Sequence, residues 1–104
     1  MATPNKILSS IKSQVQAVVP GAKVLLFGSR AYGVPTEESD WDILILIEQP
    51  VNSAIKKNIH TSLFPLSVEI GAFINTLTVQ ENEWVNNPSY YSLHQTIKRG
   101  MVQA

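Results

Sequence analysis

Cysteine is absent from this 104-residue chain, which excludes a disulfide frame, a thiol nucleophile and a zinc ribbon. Long apolar runs are missing too. The longest, Ile43 to Ile47, falls far short of the about 20 residues that a membrane-spanning helix needs. No basic-then-apolar leader pattern opens the sequence, so the expectation is a soluble, cytoplasmic protein without a membrane partner. Charge is scarce: 15% of residues are charged, against roughly 25% in an average soluble domain. Eight basic residues balance eight acidic ones, and a chain of zero net charge lacks the basic surface of a sequence-blind binder of long nucleic acid.

What is present fits one domain over residues 1–104. Hydrophobic residues make up 44% of the chain. A domain this small has much surface relative to its core. Some apolar side chains are therefore expected outside, where a partner protein covers them; a homo-oligomer is left open.

The pattern along the chain is of mixed α/β type. Thr3-Pro4 is a helix start, and Ile7, Leu8, Ile11, Val15, Val18 and Val19 recur at helical spacing until Pro20-Gly21. Lys23 to Phe27 and Trp41 to Glu48 read as strands buried on both faces, separated by a short helical turn and a polar loop. A helix is predicted from Val51 to Phe64, on Ile55, Ile59 and Leu63. Pro65 is expected to end it, giving a third strand from Leu66 to Ile74. Thr78 and Glu81 suggest a capping box for a short helix through Trp84. Asn87-Pro88 opens a last helix carrying Tyr91, His94, Ile97 and Met101, with Lys98 and Arg99 in its final turn and Gly100 as its stop. The fold class is thus a small mixed β-sheet flanked by helices.

Chemistry concentrates in Phe27-Gly28-Ser29-Arg30-Ala31-Tyr32-Gly33 and Ser39-Asp40-Trp41-Asp42-Ile43. Aspartates two apart at the head of an apolar strand share one face, while Trp41 points to the other. Their mutual repulsion is relieved by a divalent cation. Mg²⁺ suits such a pair, because it takes oxygen ligands and draws several of them from water and substrate phosphates. Gly28, lacking a side chain, lets the backbone come close to a ligand. The N–H groups that follow, with the Ser29 hydroxyl, make a seat for an anion. Together the two segments suit a nucleoside triphosphate bound with Mg²⁺. No Gly-Lys-Ser/Thr follows the glycines, so the P-loop pattern does not apply. Arg30 is a further candidate for phosphate contact. His60 and His94 read as packing or surface residues, and Trp84, Tyr90 and Tyr91 as core or interface rather than a base-stacking platform.

Gly28-Ser29, ten residues and then Asp40-Trp41-Asp42 resembles the signature of nucleotidyltransferases of the DNA polymerase beta superfamily, and in particular the minimal nucleotidyltransferases. The resemblance implies transfer of a nucleotidyl group from an NTP to a hydroxyl with release of pyrophosphate, at Mg²⁺ held by three carboxylates. Asp40 and Asp42 would be the first two. Glu69, the acid in the predicted third strand, would be the third, a metal ligand helping to deprotonate the acceptor; the family more often has Asp there. Tyr32 stands where many relatives carry Arg. The resemblance further implies ATP as substrate and a small helical HEPN-domain protein as partner, in a toxin–antitoxin pair whose nucleotidyltransferase moves AMP to that partner. Two alternatives accompany this reading: a non-catalytic antitoxin retaining the fold, and an aminoglycoside-type enzyme modifying a small molecule.

Overall fold

Side-chain alternation along two short apolar runs builds the centre of the molecule. In the computed structural model, which describes residues 4–32, 40–97 and 101–104, strand β1 (Lys23–Phe27) pairs antiparallel with β2 (Trp41–Ile47). Val24 and Leu26 of β1, with Trp41, Ile43, Ile45 and Ile47 of β2, bury one face. Leu25, Leu44 and Leu46 bury the other. A strand that must be apolar on both faces reads as an unbroken hydrophobic run, which is what the sequence shows.

Helix α1 (Pro4–Val18) and helix α3 (Ser53–Ile70) cover the first face. Leu8, Ile11, Val15 and Val19 form the predicted stripe and meet Ile59 and Leu63 of α3 in one core. Burying each such side chain contributes about 1.5–3 kcal/mol against leaving it in water. At the surface, the Ser62 hydroxyl donates to Gln14 Oε1 at 3.0 Å. The second face is covered by α4 (Glu81–Asn86), the 3₁₀ turn Pro88–Tyr90 and α5 (Tyr91–Ile97). Trp84, Tyr90 and Leu93 pack there against Ile97, Val79, Leu44 and Leu46. Between β1 and β2 lies the short helix α2 (Ser29–Tyr32).

The sheet has four strands in the order β3-β2-β1-β4. β3 (Ile74–Gln80) runs parallel to β2, the crossover being α3. This corrects the expected third strand. Leu66 to Ile70 are the last turns of α3, because the helical series Ile55, Ile59, Leu63 continues through Leu66 and Ile70, which pack on the same core. Pro65 lies inside the helix. Both it and Thr61, whose carbonyl loses its partner, are exposed, so water can satisfy that oxygen and the helix survives its proline. The Asn52 side chain caps the start by accepting from the Ile55 N–H at 2.9 Å, and Gly71 in the left-handed conformation ends it.

Two further expectations change. Thr78 is buried in β3 opposite Ile45. The cap position of α4 falls to Gln80, which makes no side-chain cap bond. Met101 is not part of the last helix: α5 ends at Ile97, and Val102–Gln103 form a fourth strand, β4, antiparallel to β1. Thr3, Lys98, Arg99 and Gly100 lie outside the described residues. Among those described, no helix is long and apolar enough to cross a membrane.

Candidate active site

The register of the central ladders places the candidate residues at one end of the sheet. Phe27 of β1, Asp42 of β2 and Asn75 of β3 stand side by side. Asp42 shares its face with Leu44 and Leu46, the face covered further along by α4 and α5. Trp41 is turned into the opposite core and is 1% exposed. Asp40, one residue before β2, is exposed and Asp42 half-buried, so both carboxylates remain within reach of water or a hydrogen-bond donor.

The two carboxylates converge on one atom. Asn75 Nδ2 donates to Asp40 Oδ2 at 3.1 Å and to Asp42 Oδ1 at 3.3 Å. The other Asp42 oxygen lies against Gly28. That glycine has φ +78, and a Cβ added to it would meet Asp42 Oδ2 at 2.2 Å and Asp42 Cγ at 3.1 Å. Absence of a side chain at residue 28 is therefore what lets β1 turn into α2 directly beside the second aspartate. The turn is closed by the Ala31 N–H donating to the Gly28 carbonyl at 3.0 Å. Asp42 is held on two sides, by an amide from β3 and by a bare backbone from β1.

The remaining predicted residues are distributed differently. Ser29 opens α2, and its side chain, like that of Tyr32, lies outside the described part of the structure; Gly33 and Ser39 do so entirely. The Arg30 guanidinium sits 4.5 Å from the centre of the Trp41 ring, a cation–π contact on a side chain directed away from the aspartates. Glu69 is corrected. It is exposed near the end of α3 rather than on a strand, and among the described residues no third acidic, histidine or cysteine side chain joins Asp40 and Asp42. The strand position beside Asp42 belongs instead to Asn75, a residue the sequence reading passed over. The parallel spacing of Ile74, Thr76 and Thr78 around it was the available signal for β3.

Elsewhere, His94 Nε2 lies 2.7 Å from the Trp84 carbonyl and its ring stacks near that indole at 4.1 Å, while His60 is exposed on α3. Trp84 and Tyr90 pack in the second core and Tyr91 is exposed. A shallow apolar recess of about 350 Å³ is lined by Phe64, Ser67, Val68, Gly71, Ala72 and Phe73. It lies beside the head of β2, where the Trp41 N–H donates to the Phe73 carbonyl at 2.9 Å.

The donor set suits one hard divalent cation: two convergent carboxylates, with coordination left over for water and phosphate, match the way Mg²⁺ is held in phosphate-transfer sites. A closed protein cage is not present among the described residues.

A mixed sheet with an Asp-x-Asp strand beside a strand ending in Gly-Ser defines the nucleotidyltransferase class of fold. The chain belongs to the nucleotidyltransferase domain family, whose model matches residues 5–87. No curated protein matches it by sequence. Among solved structures it is similar to the spectinomycin adenyltransferase AAD(9) from Enterococcus faecialis, crystallised with ATP and spectinomycin, at 18% identity and a TM-score of 0.67. That match covers 89% of this chain but 45% of the adenyltransferase, so the chain spans less than half of that enzyme. A toxin–antitoxin structure with AMP-PNP is similar at 17% identity and a TM-score of 0.64, covering 91% of this chain and 69% of the other. A mutant of the toxin–antitoxin MntA-HpeT is similar at 19% identity and a TM-score of 0.59, covering 100% and 72%. At these identities the likeness is one of fold.

Proposed function

We propose that this chain transfers AMP from ATP to a hydroxyl on a partner protein, as the nucleotidyltransferase of a toxin–antitoxin pair with a small helical HEPN-domain protein. The observation that carries the reading is the convergence of Asp40 and Asp42 on one point beside the bare backbone of Gly28. Asp40 and Asp42 would hold Mg²⁺, and Gly28 and Ser29 would form the triphosphate side, which Arg30 could join only by leaving its place over the Trp41 ring. The cation, when bound, neutralises charge on the phosphate oxygens. In the transfer the acceptor oxygen bonds to the α-phosphorus and the bond from that phosphorus to the leaving pyrophosphate breaks. The hydroxyl proton passes to a carboxylate of the pair. Asp42 is oriented for this by Asn75 and Gly28. A protein acceptor is supported by exposed Phe64, Val68 and Phe73, an apolar group at the same end of the sheet as Asp40.

The test is incubation with α-labelled ATP, Mg²⁺ and the co-purified partner. Label on the partner is expected, and Asp40→Asn or Asp42→Asn should lower it by at least about a hundredfold, the order lost with one preorganised charge-stabilising group. A second reading, a non-catalytic antitoxin, is favoured by one observation: an amide, not a third carboxylate, stands beside Asp42. Partner binding without label transfer in any NTP or divalent metal would select it. Label on an aminoglycoside without a partner would select small-molecule transfer.

A further inference from the structure

Asn75 has a position that no packing need explains. It is exposed, it faces Asp42 across a parallel ladder, and its amide nitrogen lies within hydrogen-bond distance of both aspartates. Ionised carboxylates accept and do not donate, so an amide touching both must present its N–H₂ group to them. We infer that Asn75 is a positioning residue that makes the site nucleotide-dependent for its cation: the pair takes a divalent ion together with the triphosphate and binds the free ion weakly.

This rests on the nucleotidyltransferase reading of the site. Asp40 and Asp42 supply two negative charges, and no other acidic group among the described residues joins them. Asn75 adds none. Its amide hydrogens lie against both carboxylates and offset their repulsion, which holds the pair convergent. A cation entering there must displace that amide donor and gains no third anionic ligand in return. Triphosphate oxygens bring the missing negative charge, so metal and nucleotide bind as one unit. Rotation of the amide about its last side-chain torsion would then turn its oxygen toward the ion, a neutral ligand in place of a donor.

The test is calorimetric titration of wild type, Asn75→Asp and Asn75→Ser with Mn²⁺ alone and with Mn²⁺ plus AMP-PNP, with water-proton relaxation reporting protein-bound manganese. Expected are weak binding of free Mn²⁺ by wild type and Asn75→Ser, a gain of at least about tenfold in Asn75→Asp from the added anionic ligand, and binding of Mn²⁺–AMP-PNP by wild type. If repulsion unfolds Asn75→Asp, Mn²⁺ alone should restore its thermal transition; failure to do so overturns the inference. Wild type binding free Mn²⁺ as tightly as Asn75→Asp, or an equal gain in Asn75→Ser, overturns it while leaving the nucleotide reading intact. Absence of Mn²⁺–AMP-PNP binding in wild type overturns that reading, and this inference with it.

Discussion

Gly28 decides whether Asp42 can be where it is. Its φ of +78 is strained for any residue with a side chain, and the space a Cβ would take is held by the Asp42 carboxylate, 2.2 Å away. Left-handed backbone costs an L-residue about 1–2 kcal/mol, and displacing an ionised group adds to that. Gly28→Ala is therefore expected to lower stability by about 2 kcal/mol and to abolish the proposed nucleotidyl transfer. Urea denaturation and label transfer measure the two effects; a variant that keeps full transfer shows that Asp42 does not need this approach. At this scale the sequence was readable where residue type announces chemistry. Two aspartates heading an apolar strand, and a glycine ending its neighbour, are costly or conformationally distinctive. Asn75 carries no such mark: an amide in a short alternating run is indistinguishable from a surface residue until the parallel register sets it against Asp42.

Among the elements, α3 is where local rules and tertiary packing disagree. Pro65 and the alternation Leu66, Val68, Ile70 argue for a helix end followed by a strand. The helix prevails because Leu66 and Ile70 reach the same core as Ile55, Ile59 and Leu63, and because Pro65 faces outward. The displaced strand begins at Ile74, which places Asn75 rather than Glu69 beside Asp42. β1 and β2, by contrast, lie where their apolar runs predicted, because burial on both faces left the pattern little freedom. Pro65→Ala should stabilise the protein by about 2 kcal/mol: a helix-interior proline costs roughly 3 kcal/mol, of which up to about 1 kcal/mol is offset by proline's stiffening of the unfolded chain. A urea midpoint that falls on substitution would show that the proline relieves something other than the helix hydrogen bond. A second link between elements is electrostatic. Lys23 at the start of β1 pairs with Glu81 at the start of α4 at 2.5 Å, and this hydrogen bond, with the carboxylate's charge, raises the Lys23 pKa above its ordinary 10.5. A lysine whose folded value is raised contributes its stabilisation fully below the unfolded value and loses it as pH rises through the folded one. The pair is solvent-exposed, so the effect is small. The Tm difference between wild type and Lys23→Gln should be constant from pH 7 to about 9.5 and shrink above about 10.5; a difference that grows with pH contradicts the pairing.

At the scale of the whole molecule, the two edge strands, β3 and β4, are joined to the sheet over very different lengths, and the site lies away from the shorter one. β3 is joined to β2 along all seven of its residues. β1 is covered at its outer edge by Val102 and Gln103, with the Ala104 N–H donating to the Val24 carbonyl at 2.9 Å. A sheet edge that loses its cover offers unpaired backbone groups to another chain. Ending the chain after Gly100 should cost about 1–3 kcal/mol, from a few hydrogen bonds of about 0.5–1.5 kcal/mol each. Sedimentation should then show concentration-dependent association through the open side of β1. Asp40, Asp42 and Asn75 belong to the loop before β2, β2 and β3, on the far side of β1 from that edge. The truncated protein should consequently still bind Mn²⁺–AMP-PNP with wild-type affinity at temperatures where it is folded. A truncation that remains monomeric with an unchanged urea midpoint would show that β4 adds no stability. One that remains folded but loses nucleotide would mean that the C-terminal strand, rather than the β2–β3 ladder alone, supports the carboxylate pair.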